Sequence, residues 1–201
     1  VITRSTMDPI NNAITLKQRG DLAGALDALD LAIRDGIDLP RAHYQRGLTL
    51  VALGRTADAI AAYHTAIELR PDYVKALVNL AGLYMANQDA KTAAGLLARA
   101  EPLAEPDDAI FLLNRAALQR MTRKPGPAIR DAERAAALAP GETAVWVELG
   151  LCLLLDPRRA KDSIAASRRA LELDPDHARA AHNLAAALDN SGDHATALTY
   201  A

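Results

Sequence analysis

The sequence predicts an all-α protein built as an α-solenoid, an array of antiparallel helix-turn-helix repeats, and three observations predict it. Ala25, Ala59, Ala93, Ala128, Ser163 and Ala197 recur at intervals of 34, 34, 35, 35 and 34 residues, the spacing of a chain made of stacked supersecondary units. A second small series, Ala13, Gly47, Ala81, Ala116, Gly150 and Ala185, recurs at 34, 34, 35, 34 and 35, so each unit carries two positions where helices come close. Pro71, Pro106, Pro140 and Pro175 stand 35, 34 and 35 apart, where one helix must end before the next unit begins, because proline cannot continue a helix.

Each unit can be justified in turn. The second is the clearest: Arg41 to Leu53 has helical apolar spacing, Gly54-Arg55 breaks it, Ala57 to Leu69 resumes it and Pro71 closes it. The spacing places units at 6–39, 40–73, 74–108, 109–142 and 143–177, with an incomplete one at 178–201. Gly20-Asp21, Gly54-Arg55 and Gly192-Asp193 supply the permissive residue at the reversal between paired helices. Two reversals depart from this form: Arg123-Lys124-Pro125-Gly126-Pro127 puts prolines at the start of a helix, and Asp156-Pro157-Arg158-Arg159 carries the extra residue of its unit. In the first unit Pro9 sets the start of the leading helix.

Composition narrows the function. Half of the 201 residues are hydrophobic but only 3% are aromatic, so the apolar faces are mostly Ala and Leu, which suit closely spaced helices. A repeat array has no single core, so the chain is read as one domain of 201 residues. The formal charge of -2 gives no basic field for nucleic acid. No apolar stretch approaches the roughly 20 residues that span a bilayer, and Val1 to Thr6 have no leader pattern, so the expected setting is the cytoplasm. The Ala- and Arg-rich composition points to a bacterium with a GC-rich genome. The opening on Val1 with Met7 close behind, and the unfinished last unit, read as the boundaries of a piece of a longer chain.

The signature residues resemble the tetratricopeptide repeat family. Trp146, Leu149, Gly150 and Leu153 reproduce its first-helix pattern, and Ala59, Tyr63 and Pro71 its second-helix pattern. The resemblance covers nearly the whole chain and implies a right-handed superhelix whose first helices line a concave groove. Departures from the pattern are Arg46 and Arg115, where the family has Leu, and Ala132 and Ser167, where it has a large residue. These predict thinner interfaces.

Chemistry is sparse. His43, His64, His177, His182 and His194 are scattered over different units, without the helical pairing and third ligand of a metal site. Cys152, the single cysteine, lies in the apolar run Leu151 to Leu155 and reads as a buried small hydrophobe. No phosphate loop or nucleophile motif is present, so no catalytic residue, metal or cofactor is expected.

Binding is the better reading. Two residues before each small residue of the second series stand Asn11, Gln45, Asn79, Asn114, Glu148 and Asn183. Such a position lies about 200° round the helix from the packing residue and points away from the partner helix. A side-chain amide both donates and accepts, matching the main chain of an extended peptide. With first helices roughly 8–10 Å apart and a peptide rising about 3.3 Å per residue, each step would grip every third ligand residue. The ladder is similar to the one that holds substrate peptides in the O-linked N-acetylglucosamine transferases. One turn earlier, Arg41, Lys75 and Arg179 would flank it and favour an acidic peptide. The carboxylate clamp of chaperone-binding relatives is incomplete, since Ile110 and Leu113 interrupt it after Lys75 and Asn79. The basic cluster Arg115, Arg120, Arg123, Lys124, Arg130 and Arg134 is interrupted by Asp131 and Glu133 and reads as a solvated face.

The leading expectation is a non-catalytic scaffold for a protein or peptide partner. Two alternatives stand beside it: the substrate-recruiting arm of a group-transfer enzyme, such as a glycosyltransferase, with its catalytic domain beyond Ala201, and a scaffold that self-associates through an uncapped terminal face including Leu184, Leu188 and Leu198.

Overall fold

A computed structural model describes residues 8–200. Residues 6 and 7 of the expected first unit, and Ala201, lie outside the described residues. Twelve α-helices and one 3-10 turn make up the regular structure of the described residues, with no strand among them. They fall into two compact units, 1–87 with 98–103, and 88–97 with 104–201.

The first unit contains α1 (Pro9–Gln18), α2 (Leu22–Arg34), α3 (Leu39–Ala52), α4 (Thr56–Leu69) and α5 (Val74–Ala86). Helix α1 starts at Pro9, as the sequence predicts, with Asp8 capping the Ile10 amide. The pairs α1 with α2 and α3 with α4 pack most extensively, and each reverses at a glycine in the left-handed region, Gly20 at φ +83° and Gly54 at φ +72°. Ile10, Ala13, Ala25, Leu29 and Ala32 form one core cluster, and Leu50, Ala59 and Ala62 form another. Closure is tightest at Gly47: a Cβ there would lie 2.5 Å from Cε1 of Tyr63, so only glycine lets the ring lie against the helix backbone. Tyr63 is 1% exposed.

Helix α6 (Ala90–Ala100) is divided between the units. The second unit continues with α7 (Ala109–Met121), α8 (Pro125–Leu138), α9 (Thr143–Leu153), α10 (Ala160–Leu173), α11 (Ala178–Asn190) and α12 (His194–Ala197). Here α7 pairs with α8 and α9 with α10. The irregular reversal after α7 is made by Arg123 itself, at φ +56°, rather than by a glycine. Pro125 and Pro127 then occupy the first turn of α8, where a missing amide hydrogen costs little. Pro157–Arg159 forms the 3-10 turn that absorbs the extra residue between α9 and α10.

Ala116, Ala128, Ala132, Ala135, Cys152 and Leu153 belong to one core cluster. Gly150 faces Ser167, whose Oγ would sit 2.9 Å from a Cβ at that glycine. The small-residue series is buried throughout except at Ala185, which is half-buried because the helix over it, α12, is only four residues long. The two arginines in Leu places are satisfied by carboxylates: Arg46 Nε donates to Asp30, and Arg115 grips Asp131 with two bonds of 2.7 and 3.0 Å.

Candidate first-helix binding face

In the first unit the ladder residues sit on α1, α3 and α5, and each reaches a neighbouring first helix. Asn11 is exposed and accepts from Arg41. Gln45 is half-buried and accepts from Lys17 Nζ at 3.4 Å. Asn79, also half-buried, donates to the Tyr44 hydroxyl at 3.1 Å. Tyr44 is held in turn by Tyr63 and Tyr73, with ring centroids 5.9 and 5.1 Å away, and the Arg70 guanidinium lies 5.0 Å from the Tyr73 ring centre. Burial pushes the Tyr73 hydroxyl above its ordinary pKa, against the pull of the nearby Arg70. Arg41 is not a free cation, since it pairs with Asp8 at 3.3 Å; Lys75 is exposed.

In the second unit the same positions behave differently. Asn114 is half-buried and donates to the Ile110 carbonyl of its own helix at 2.9 Å. Glu148 is buried and accepts from Arg120 at 2.6 and 3.3 Å, with the Cys152 thiol 3.6 Å from the same carboxylate. Asn183 is fully buried and donates to the Val147 carbonyl of α9 at 3.1 Å. Its Oδ1 has no partner, and neither does the nearby Ser167 Oγ. Arg179 is exposed.

Two expectations are therefore corrected. Glu148 and Asn183 do not project into a groove; they are interior residues of the second unit. At Gln45, Asn79, Glu148 and Asn183 the direction about 200° from the paired helix is occupied by the preceding first helix, so there the ladder position is the seam between successive first helices. Where a neighbour closes over the seam its polar group must find a partner inside. Arg41 likewise contributes a paired rather than a free charge.

Sequence reasoning missed Tyr44 and Lys17, and it placed Arg120 on a solvated face where the structure pairs it with Glu148. Lys17 and Arg120 stand four residues after Ala13 and Ala116, 103 residues apart, as do Gln45 and Glu148, so the repeat spacing alone carried the signal. The basic cluster of α7 and α8 is partly neutralised within the second unit. Arg115 pairs with Asp131, Arg120 with Glu148 and Arg134 with Asp107. Among the described residues no group of three or more His, Cys, Asp or Glu is placed to hold a metal, and no helix is long and apolar enough to cross a membrane.

Family models described as tetratricopeptide repeat match residues 44–109 and 167–199. No curated protein matches. Among solved structures, PilW, a widely conserved type IV pilus biogenesis factor, superposes with a TM-score of 0.77 at 16% identity, over 96% of this chain and 88% of that one. TTC0263, a thermophilic protein of Thermus thermophilus, gives 0.68 at 22% identity, over 95% and 97%. YrrB, whose structure is described as having an unusual peptide-binding site, gives 0.60 at 19% identity, over 87% and 89%.

Proposed function

The chain belongs to the tetratricopeptide repeat family, whose members mediate protein-protein interaction, and from that premise we propose that it is a non-catalytic scaffold holding an extended partner segment along its first helices. The observation that carries the reading is the partial exposure of Asn11, Gln45 and Asn79 on three successive first helices of the first unit. Each spends one end of its amide on a neighbouring first helix. The NH2 group of Gln45 and the Oδ1 of Asn79 remain open, a donor and an acceptor of the kind a peptide main chain needs. That YrrB carries a peptide-binding site on this fold supports the reading. On this proposal the repeats form one array of units at 6–39, 40–73, 74–108, 109–142, 143–177 and 178–201.

The test is a selection of 12-residue random peptides displayed on phage against the whole chain, followed by binding of the selected peptides to the Asn11→Ala, Gln45→Ala, Asn79→Ala triple variant. A tenfold or greater loss of affinity with unchanged helicity is the expected result. Selection of nothing, or unchanged affinity in the triple variant, overturns the proposal.

A second reading, self-association, is favoured by one feature. His182, Ala185, Ala186, Asp189, His194, Ala197 and Leu198 line an open cleft between α11 and α12, and Leu198 is 78% exposed at its edge. Sedimentation at rising concentration would reveal mass growth that a Leu198→Lys variant lacks.

A further inference from the structure

Lys17 and Arg120 occupy the same place in the repeat, as do Gln45 and Glu148. Each cation lies at the C-terminal end of a first helix and reaches the ladder residue of the next first helix. In the second unit that residue is a carboxylate. Arg120 meets it at 2.6 and 3.3 Å, and the pair is closed off, with side chains 27% and 10% exposed. In the first unit the residue is a neutral amide, and among the described residues the only partner of Lys17 is the Gln45 Oε1 to which it donates at 3.4 Å.

Among the described residues no carboxylate forms an ion pair with Lys17. Asp8, at the opposite end of α1, pairs with Arg41, and Asp21, in the reversal after it, caps the Gly24 amide. Burial lowers the Lys17 pKa from its ordinary value, with no counter-charge opposing the shift. A half-buried cation over one weak neutral acceptor is an unfavourable arrangement in isolation, and a carboxylate supplied from outside relieves it. The surroundings suit that visitor. The open NH2 of Gln45 can donate to the same carboxylate, while Lys75 adds positive charge elsewhere on the first-helix face.

We propose that Lys17 and Gln45 form an anchoring site for an Asp or Glu side chain of the partner segment, so that the first unit selects a peptide with one acidic residue at a fixed place. The inference rests on the peptide-scaffold reading and adds the partner's chemistry to it. The internal precedent is the second unit, where the same pair of positions holds a carboxylate within the chain.

The phage selection described above tests both, with different signatures. The inference expects the selected peptides to share an Asp or Glu at one position. The Lys17→Met variant should bind them at least tenfold more weakly. The Gln45→Glu variant, which supplies the carboxylate from within, should weaken them similarly while leaving thermal stability intact. Replacing the shared acid by its amide should cost the same factor with the wild-type chain and little with Lys17→Met. Selected peptides that lack an acid but depend on Asn79 overturn the inference and leave the scaffold reading standing, as does equal binding by wild type and Lys17→Met. A selection that yields nothing overturns both.

Discussion

At Gly47 the first unit closes a helix pair on an aromatic ring, while at Gly150 the second closes the corresponding pair on a serine hydroxyl. The first-helix seams differ in the opposite sense. Lys17 over Gln45 is an open cation on an amide, whereas Arg120 over Glu148 is an enclosed ion pair. One unit thus concentrates apolar contact at Tyr63 and leaves its seam polar and accessible. The other has small residues between its paired helices, Ala132 and Ser167, and buries charge and amide in its seam. The repeat fixes where a side chain sits and leaves open whether that place stabilises the fold or meets a partner.

The largest expected effect separates the two helix closures. Tyr63→Ala should cost about 3–5 kcal/mol, as for other large buried side chains. Ser167→Ala should be near neutral or stabilising, because its buried hydroxyl has no partner to lose. Urea unfolding followed by circular dichroism measures both, and a Ser167→Ala cost as large as that of Tyr63→Ala would erase the distinction.

The seams come next. Glu148→Gln turns the second seam into the first kind and strips a covered guanidinium of its counter-ion, costing about 1.5–3 kcal/mol. Gln45→Glu turns the first seam into the second kind, but with Lys17 half-solvated the gain should stay below about 1 kcal/mol and shrink in salt. Denaturant midpoints at low and high ionic strength decide the matter. Equal and opposite shifts would mean that the two seams are equally buried.

Glycine substitutions give a smaller contrast. Gly47→Ala drives a Cβ to 2.5 Å from the Tyr63 ring and should cost about 1–3 kcal/mol. Gly150→Ala meets the Ser167 hydroxyl at 2.9 Å, and that short side chain can turn aside. The helix-favouring effect of alanine, up to about 1 kcal/mol, then offsets much of the strain. Melting temperatures of the two variants should rank accordingly.

A last effect is expected in alkali. Burial, reinforced by the Glu148 charge, pushes the Cys152 thiol above its ordinary 9.0, and burial with the neighbouring Tyr44 pushes Tyr63 above its ordinary 10.0. Both groups hold their protons more tightly in the folded chain. Their contribution to stability is therefore complete below those unfolded values and declines as pH rises past them. Stability measured from pH 7 to 11 should fall first near 9 in the wild type and only near 10 in Cys152→Ala.

Most of the fold was legible because packing of repeated helices demands small residues at fixed intervals, and Ala13, Ala59 and Ala128 mark those contacts in the sequence as in the structure. The start of α1 at Pro9 was legible for a local reason, the proline itself, to which the structure adds the Asp8 cap. The reversal after α7 was placed as well, but the left-handed backbone of Arg123 was not legible, since a side chain in that region is held there by its surroundings and leaves no glycine to read. The ladder was half legible. Its residues share one place in the repeat, yet an angle measured on one helix cannot say what the next helix covers. Asn11 and Asn183 share a place in the repeat and end up at opposite extremes of exposure for that reason. Lys17 is marked in the sequence only by the place in the repeat that it shares with Arg120, and that place gains its meaning from the acceptors, an amide in one unit and a carboxylate in the other.

The enclosure of Cys152 also gives the molecule a built-in clock. With one thiol in the whole chain, packed beside Glu148 in α9 and wholly covered, reagent can reach it only when the second unit opens. The rate at which an added maleimide consumes that thiol would report the frequency of such openings in unaltered protein. A cysteine introduced at an exposed place on α1 would react at once and separately, so that one sample could carry a label on the proposed binding face and a timer in the opposite half of the sequence.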